Sequence, residues 1–224
     1  MIAAMEKING CRIPNELAYD VENGIWVDLK GEIATIGLTD VYQTMASKLI
    51  SVRIKTAGSD IVRGRSLGTI ESSKYVGKIV SPYDGTVETI NESLSTDPGL
   101  VNKDPYGAGW IVKLKLNSPE STELVSGQLA ISAFKKRISA LKVTCFEIPP
   151  DKFLNTLGLL CPGPVSRLSE EVGVMKTGEV VHMIADDPAA ELDVISWAKV
   201  TGQEIIELRK EEESILHFLV RKTK

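Results

Sequence analysis

The chain has 224 residues, 43% hydrophobic and 25% charged, with a formal net charge of −4; that is ordinary globular composition, enough for two modest domains and too apolar for general disorder. The acidic balance argues against nucleic acid as a partner, because phosphate binding needs concentrated Lys and Arg, and a run such as Lys135-Lys136-Arg137 reads as a solvated helix face. No apolar stretch is long enough to cross a bilayer and Met1 to Gly10 lacks a signal-peptide core, so the expectation is a cytoplasmic protein with no membrane partner.

Short runs rich in Val, Ile and Thr recur between glycines through the first half: GIWVDL, GEIATIGL, LISVRI, GTIESS, GKIVSP, GTVETIN and WIVKLKL. Regular short strands with turn signals predict a mostly β sandwich or barrel. The segment SPESTELVSGQLAISAFKKRI follows, with Leu124, Leu129, Ile131 and Phe134 near one helical face, and is expected to close the domain. At CFEIPPDKF the prolines can neither continue a helix nor donate to a central ladder. Charge changes there too: residues 151–224 carry 13 acidic and 9 basic side chains, whereas the preceding residues balance. The expected division is a first domain over 1–142, a linker over 143–151 and a second domain over 152–224.

After the linker KFLNTLG reads as a strand, PVSRLSEEVGVMK as a helix with Val165, Leu168 and Val172 on one side, and GEVVHMIA as a strand. DPAAELDVISWAKVTG opens with Asp187 as N-cap and Pro188 at the first helical position, and closes at Gly202. QEIIELRKE and SILHFLVRK complete a β-α-β-α-β-β order, an α/β sandwich with both helices packed on the sheet.

Few residues outside two positions suggest chemistry. Cys11, Cys145 and Cys161 form no close pair and leave an odd number, so no disulfide scaffold is expected, and Cys11 and Cys145 read as packing residues. His182 and His217 read as partly exposed strand residues, and no ligand spacing suggests a metal. Asp186-Asp187 resembles a helix N-terminus, and YGAGW has too few glycines for dinucleotide binding. Lys74 lies between two strand-like runs, at the expected tip of a turn, and the flanking IVRGRSLGTI and IVSPYDGTVETI are roughly similar. In LLCPGPVSR a helix starting at Cys161 or Pro162 puts the thiol at its positive end. Pro162 and Pro164 lack N–H groups, which leaves Gly163 and Val165 as first-turn donors, and the expectation is a lowered thiol pKa. Arg167, six residues on, reads either as a steering cation for an anionic sulfur species or as a solvated helix residue.

Two family resemblances add to this. Residues 11 to about 140 resemble the glycine cleavage system H protein, a lipoyl-bearing carrier, through IPNELAYDVENGIWV, IGLTDVYQ, ESSK, SPYDGTVETIN and above all NESLSTDPGLVNKDPYGAGW. The resemblance implies a lipoyl-domain fold of hybrid barrel-sandwich type, with lipoate joined to Lys74 by a lipoate ligase or lipoyl transferase. It matches Glu71 to the family's glutamate three residues before the modified lysine, and Pro82 and Gly85 to the turn into the next strand. This chain departs from the family at Gly24-Ile25-Trp26, where a histidine usually precedes the tryptophan, and at Lys78, where an acidic residue often follows the modified lysine. Both departures bear on docking of an aminomethyl-loaded arm rather than on attachment of lipoate.

Residues from about 152 to 224 resemble the TusA-like sulfur carriers through LGLLCPGPVSRL and GEVVHMIADDPAAELDVISWAKVTGQEIIEL. That resemblance implies a persulfide on Cys161, sulfurtransferase activity there, and rhodanese or DsrE-like persulfide donors. The pair implies a fused carrier in sulfur metabolism, serving sulfur oxidation with a heterodisulfide-reductase-like complex. Two further readings stand beside it: a glycine cleavage carrier with an accessory sulfur domain, and a non-catalytic interaction protein.

Overall fold

The computed structural model describes residues 5–72, 75–118, 124–211 and 215–224. The chain divides into two compact units, Met1–Pro149 and Pro150–Lys224.

The first unit begins with a hairpin of β1 (Met5–Ile8) and β2 (Cys11–Pro14), turned by Asn9 and Gly10, both at positive φ as a two-residue hairpin loop requires. Then come β3 (Ala18–Asp20), β4 (Ile25–Lys30), β5 (Ile33–Leu38), α1 (Asp40–Ala46), β6 (Leu49–Ile54), β7 (Asp60–Ile61), β8 (Ser66–Ser72), β9 (Val76–Val80) and β10 (Gly85–Ile90). A single 3-10 turn and α2 (Leu100–Lys103) lead to β11 (Val112–Leu116), β12 (Val125–Ser126) and α3 (Gly127–Leu141). All pairings in this unit are antiparallel: a seven-stranded sheet ordered β12-β3-β4-β5-β11-β10-β7 and a three-stranded sheet ordered β6-β8-β9. Alternating side chains from both sheets, among them Ile36, Leu114, Ile70 and Ile79, meet in one core. The seven strand-like runs are all present, and the closing helix follows them.

That helix differs in extent and face from the sequence reading. Val125 pairs with Tyr19 as an edge strand, so α3 starts only at Gly127, and residues 119–123 lie outside the described set. Its inward face is Ala130, Ile131, Phe134 and Ile138, with Phe134 edge-on to Tyr19 at 5.1 Å, while Leu129 is 73% exposed. A larger correction concerns sulfur. Cys11 and Cys145, expected to be separate packing residues, form a disulfide, and Thr44 Oγ1 donates to Cys145 Sγ at 3.3 Å. They lie 134 residues apart, so topology rather than spacing joins them. β2 and the chain beyond α3 meet in a cluster with Tyr19, Trp26 and Phe134.

The second unit contains β13 (Lys152–Asn155), α4 (Gly163–Val174), β14 (Val180–Ala185), α5 (Ala190–Thr201), β15 (Glu204–Lys210) and β16 (Leu216–Arg221). The sheet order is β13-β14-β16-β15, with β13 parallel to β14 and the other pairs antiparallel. Val181 and Met183 of β14 pair with Val220 and Phe218, and this face takes Leu168 and Val172 of α4 and Val194 of α5. Gly202, left-handed at φ 74°, ends α5 as the sequence suggests.

The opposite parity of β14 and β16 carries the histidines, and they are not surface residues. His182 and His217 are 8% and 6% exposed, stacked at 5.2 Å, with Nε2 of the first 3.0 Å from Nδ1 of the second. Register explains this: His182 pairs with Leu219 and His217 with Ile184, which makes the two rings diagonal neighbours. Burial, then the adjacent His217 and Arg209, depress His182 from 6.5 to about 3. The unfolded chain therefore takes up a proton below its ordinary pKa while the folded one does not, so stability falls as pH drops from about 6.5 toward 3. The full-length protein should lose up to about 1.4 kcal/mol per pH unit through this group, read as urea midpoints between about pH 6.5 and 5. His182→Phe should flatten that slope; an unchanged slope would show that the pair does not set it.

Candidate functional sites

The first candidate lies at the β8–β9 hairpin. Glu71 pairs with Val76, the Ser72 N–H donates to the Tyr75 carbonyl at 2.8 Å, and the Tyr75 N–H donates to Ser72 Oγ at 3.1 Å. These bonds bracket Ser73 and Lys74, which lie outside the described residues. The flanking surface is open: Glu71 is exposed, and Tyr75 and Val76 are 41% and 71% exposed. Beyond β9, Ser81 Oγ donates to the Tyr83 carbonyl at 2.7 Å, and this turn, containing Pro82, delivers the chain to Gly85 at the start of β10.

The second candidate is the junction between β13 and α4. Thr156 ends the strand by donating its N–H and hydroxyl to the Ile184 carbonyl at 3.0 and 2.6 Å. The next loop is pinned by two aspartates. Asp186 Oδ1 accepts the Gly158 N–H at 2.8 Å, and Asp187 Oδ2 accepts the Cys161 N–H at 2.6 Å. The other Asp187 oxygen accepts the Ala189 N–H at 2.9 Å, so one carboxylate joins the cysteine loop to the start of α5. The sequence makes Asp187 the N-cap and Pro188 the first helical residue; the helix instead starts at Ala190 with Ala189 at its cap, because the Asp187 carboxylate accepts the Ala189 and Cys161 N–H groups in the turn before it. The aspartates' hold on the cysteine loop is legible only in three dimensions.

This arrangement reverses the expected thiol electrostatics. Cys161 is half-buried and is the one free cysteine. α4 begins at Gly163 rather than at the cysteine, and the Gly163 N–H is taken by the Leu160 carbonyl at 2.8 Å. Val165 packs against the core, and Arg167 points to Glu170 at 3.4 Å. Asp193, then burial, then Asp187 push the thiol up to about 12. A helix end contributes about 0.3–1 kcal/mol, under one pKa unit, so two adjacent carboxylates outweigh it. Asp187 itself is held below the ordinary carboxylate range by the N–H groups of Ala189 and Cys161 and by the thiol. The resting group is S–H. Sequence reasoning missed Asp193, a first-turn residue of α5 with no motif to single it out.

Among the described residues no cluster could hold a metal ion, and no helix is long and apolar enough to cross a membrane.

The first unit is thus built of antiparallel sheets with an exposed β8–β9 hairpin end, and the second sets a free thiol at a strand-to-helix junction. Residues 17–137 match the glycine cleavage H-protein family and residues 152–222 match sulfurtransferase TusA. The chain belongs to the glycine cleavage H-protein family and carries a TusA-like second unit. It is 42% identical over 139 residues to a probable glycine cleavage system H protein 2 of Sulfolobus acidocaldarius, covering 60% of this chain and 93% of that protein. It is 38% identical over 150 residues to glycine cleavage system H protein 2 of Aquifex aeolicus, covering 66% and 93% respectively. The crystal structure of a glycine cleavage system H protein from Mycobacterium marinum matches at 26% identity and a TM-score of 0.50, over 56% of this chain and 98% of that one. The H-protein family normally carries covalent lipoate, and the two units together support a lipoyl and sulfur-carrier role.

Proposed function

We propose that the chain is a two-centre sulfur carrier, with lipoate amide-linked at Lys74 and a transferable sulfur held as a persulfide on Cys161. The observation that carries this reading is a single free, half-exposed thiol on a pinned loop, in a chain whose other unit presents an open hairpin around a family-matched lysine. Lipoate on Lys74 would supply a dithiol/disulfide couple on an arm on the order of a dozen ångström long. At Cys161 the transfer balances simply. The Cys161 sulfur attacks the terminal sulfur of a donor persulfide, the donor's S–S bond breaks as the new one forms, and the donor sulfur leaves with the proton given up by Cys161. Because the resting thiol is held protonated, a donor must bring a base or a cation to Asp187 and Asp193. Rhodanese or DsrE-like proteins fit as donors, a lipoate ligase or lipoyl transferase as the modifying enzyme, and a heterodisulfide-reductase-like complex in sulfur oxidation as the recipient.

Intact mass of protein from its native host should show the lipoyl adduct on Lys74, and a persulfide donor should add sulfur to the wild type. Cys161→Ser should abolish sulfur loading and leave Lys74 modification unchanged. An unmodified Lys74 would favour the interaction-protein reading. The relatives' names favour a second reading, aminomethyl transfer in glycine cleavage. Robust glycine-dependent turnover with glycine decarboxylase and aminomethyltransferase would establish it in place of the sulfur reading.

A further inference from the structure

Beside the hairpin lies a cleft of about 310 Å³ whose lining includes Tyr42, Tyr75, Lys78, Glu22 and Arg137. Its floor is built rather than incidental. The Tyr42 and Tyr75 hydroxyls are 3.0 Å apart, with the rings edge-on at 6.2 Å. Two glycines make room for them. A Cβ on Gly24, at φ +65°, would fall 2.4 Å from Tyr42, and one on Gly77 would fall 2.4 Å from the Tyr75 ring and 2.8 Å from the Tyr42 hydroxyl. Any larger residue at either position would displace the pair.

The cleft's charges are unequal. Its carboxylate, Glu22, is taken by Arg137, whose guanidinium lies 3.0 Å from Oε2 and also donates to the Glu22 carbonyl at 3.3 Å. Lys78 sits on the outward face of β9 opposite Thr69, and no carboxylate among the described residues pairs with it. The phenols add a donor. Two phenols hold two protons, one lies between the oxygens, and the other O–H remains available. Burial, then the hydrogen bond with Tyr75, raises the Tyr42 pKa, which keeps the Tyr42 hydroxyl protonated. A cationic guest would meet an unpaired ammonium and a spare donor. An anionic guest would meet a counter-ion and a hydrogen bond.

We infer that this cleft seats an anionic sulfur terminus, such as a sulfonate, thiosulfonate or persulfide anion, with Lys78 as counter-ion and the Tyr42–Tyr75 pair as hydrogen-bond donor, and that it discriminates against ammonium-bearing groups. The inference rests on Lys74 as the carrier residue for its biological meaning, since Tyr75 adjoins that lysine and Lys78 follows four residues later. It deepens the proposed function by naming the charge class that the first unit accepts.

Binding can be measured without any attached group, so its failure is distinguishable from failure of the carrier reading. Titrating the unlipoylated full-length protein with sodium thiosulfate, sodium hydrosulfide and methylammonium chloride at matched low ionic strength, and following the tyrosine ring resonances, reads occupancy of the cleft directly. Thiosulfate should perturb Tyr42 and Tyr75 at concentrations at which methylammonium does not, and added neutral salt should weaken its binding. Lys78→Gln should weaken thiosulfate about fivefold or more and Tyr42→Phe about twofold or more, whereas Lys55→Gln, on an exposed segment elsewhere, should leave it unchanged. A hydrosulfide response matching that of thiosulfate assigns the site to anionic sulfur generally; a response to thiosulfate alone assigns it to sulfur oxyanions. Equal binding of methylammonium and thiosulfate, or insensitivity to Lys78→Gln with intact tyrosine resonances, overturns the inference even if intact mass shows a lipoylated Lys74.

Discussion

Replacing Asp187 and Asp193 together by asparagine should speed iodoacetamide modification of Cys161 about thirtyfold at about pH 7.5. In the wild type the two carboxylates and partial burial push the thiol up to about 12, so the thiolate is scarce near neutrality. Removing both negative charges returns the group toward the ordinary cysteine range, about three orders of magnitude more thiolate. Intrinsic nucleophilicity falls with pKa, which reduces that gain to about thirtyfold. Asparagine at 187 keeps one acceptor oxygen, which can face the Cys161 N–H, while its amide nitrogen cannot accept the Ala189 N–H, so the loop retains its anchor at the cysteine and loses the charge together with the bond to Ala189. The other two cysteines are bridged, and intact mass therefore reports a single adduct. The wild-type rate should still be climbing beyond about pH 9, where an ordinary thiol levels off. Equal rates in variant and wild type would mean that the aspartates do not set the thiol's protonation. Under the proposed function, a carrier tuned this way would be inert while idle and would become a nucleophile once a partner's cation covered Asp187 and Asp193.

The second large effect falls on stability. A cross-link spanning 134 residues removes denatured-state entropy equivalent to about 5 kcal/mol in the chain-entropy picture, with about 2–5 kcal/mol usual on removing a native bridge. Cys11→Ala with Cys145→Ala should lower the first unit's stability by that amount. Guanidinium unfolding followed by fluorescence separates the two units, because Trp26 and Trp110 belong to the first and Trp197 to the second. The transition reported by Trp26 and Trp110 should move and the Trp197 transition should stay. A first-unit midpoint unaffected by the double substitution under oxidising conditions would show that the bridge adds no stability there.

Much of the fold was readable because local pattern and tertiary role coincide. Runs such as GEIATIGL and GTVETIN alternate with the period of a strand and do pair as strands. DPAAELDVISWAKVTG carries its helix and its stop at Gly202 within itself, although the helix starts three residues after the expected cap, Asp187. What could not be read depends on distant partners. Val125 becomes an edge strand because Tyr19 is beside it, and Leu129 turns outward as a result. Cys11 and Cys145 look unrelated in a linear scan. The expected thiolate at Cys161 failed because the helix dipole is a local signal, whereas Asp193 reaches the thiol from a different helix. The histidines looked exposed because alternation alone cannot reveal that a strand's second face is covered.

The Cys11–Cys145 bridge also shapes how the protein can be dismantled. An ATP-driven unfoldase that enters through the second unit and hauls the chain through a narrow pore strips that unit first, then arrives at Cys145 while that residue is still joined to Cys11. Further translocation must draw two lengths of polypeptide through the pore side by side. The first unit therefore resists degradation from that end until a reductant opens the loop.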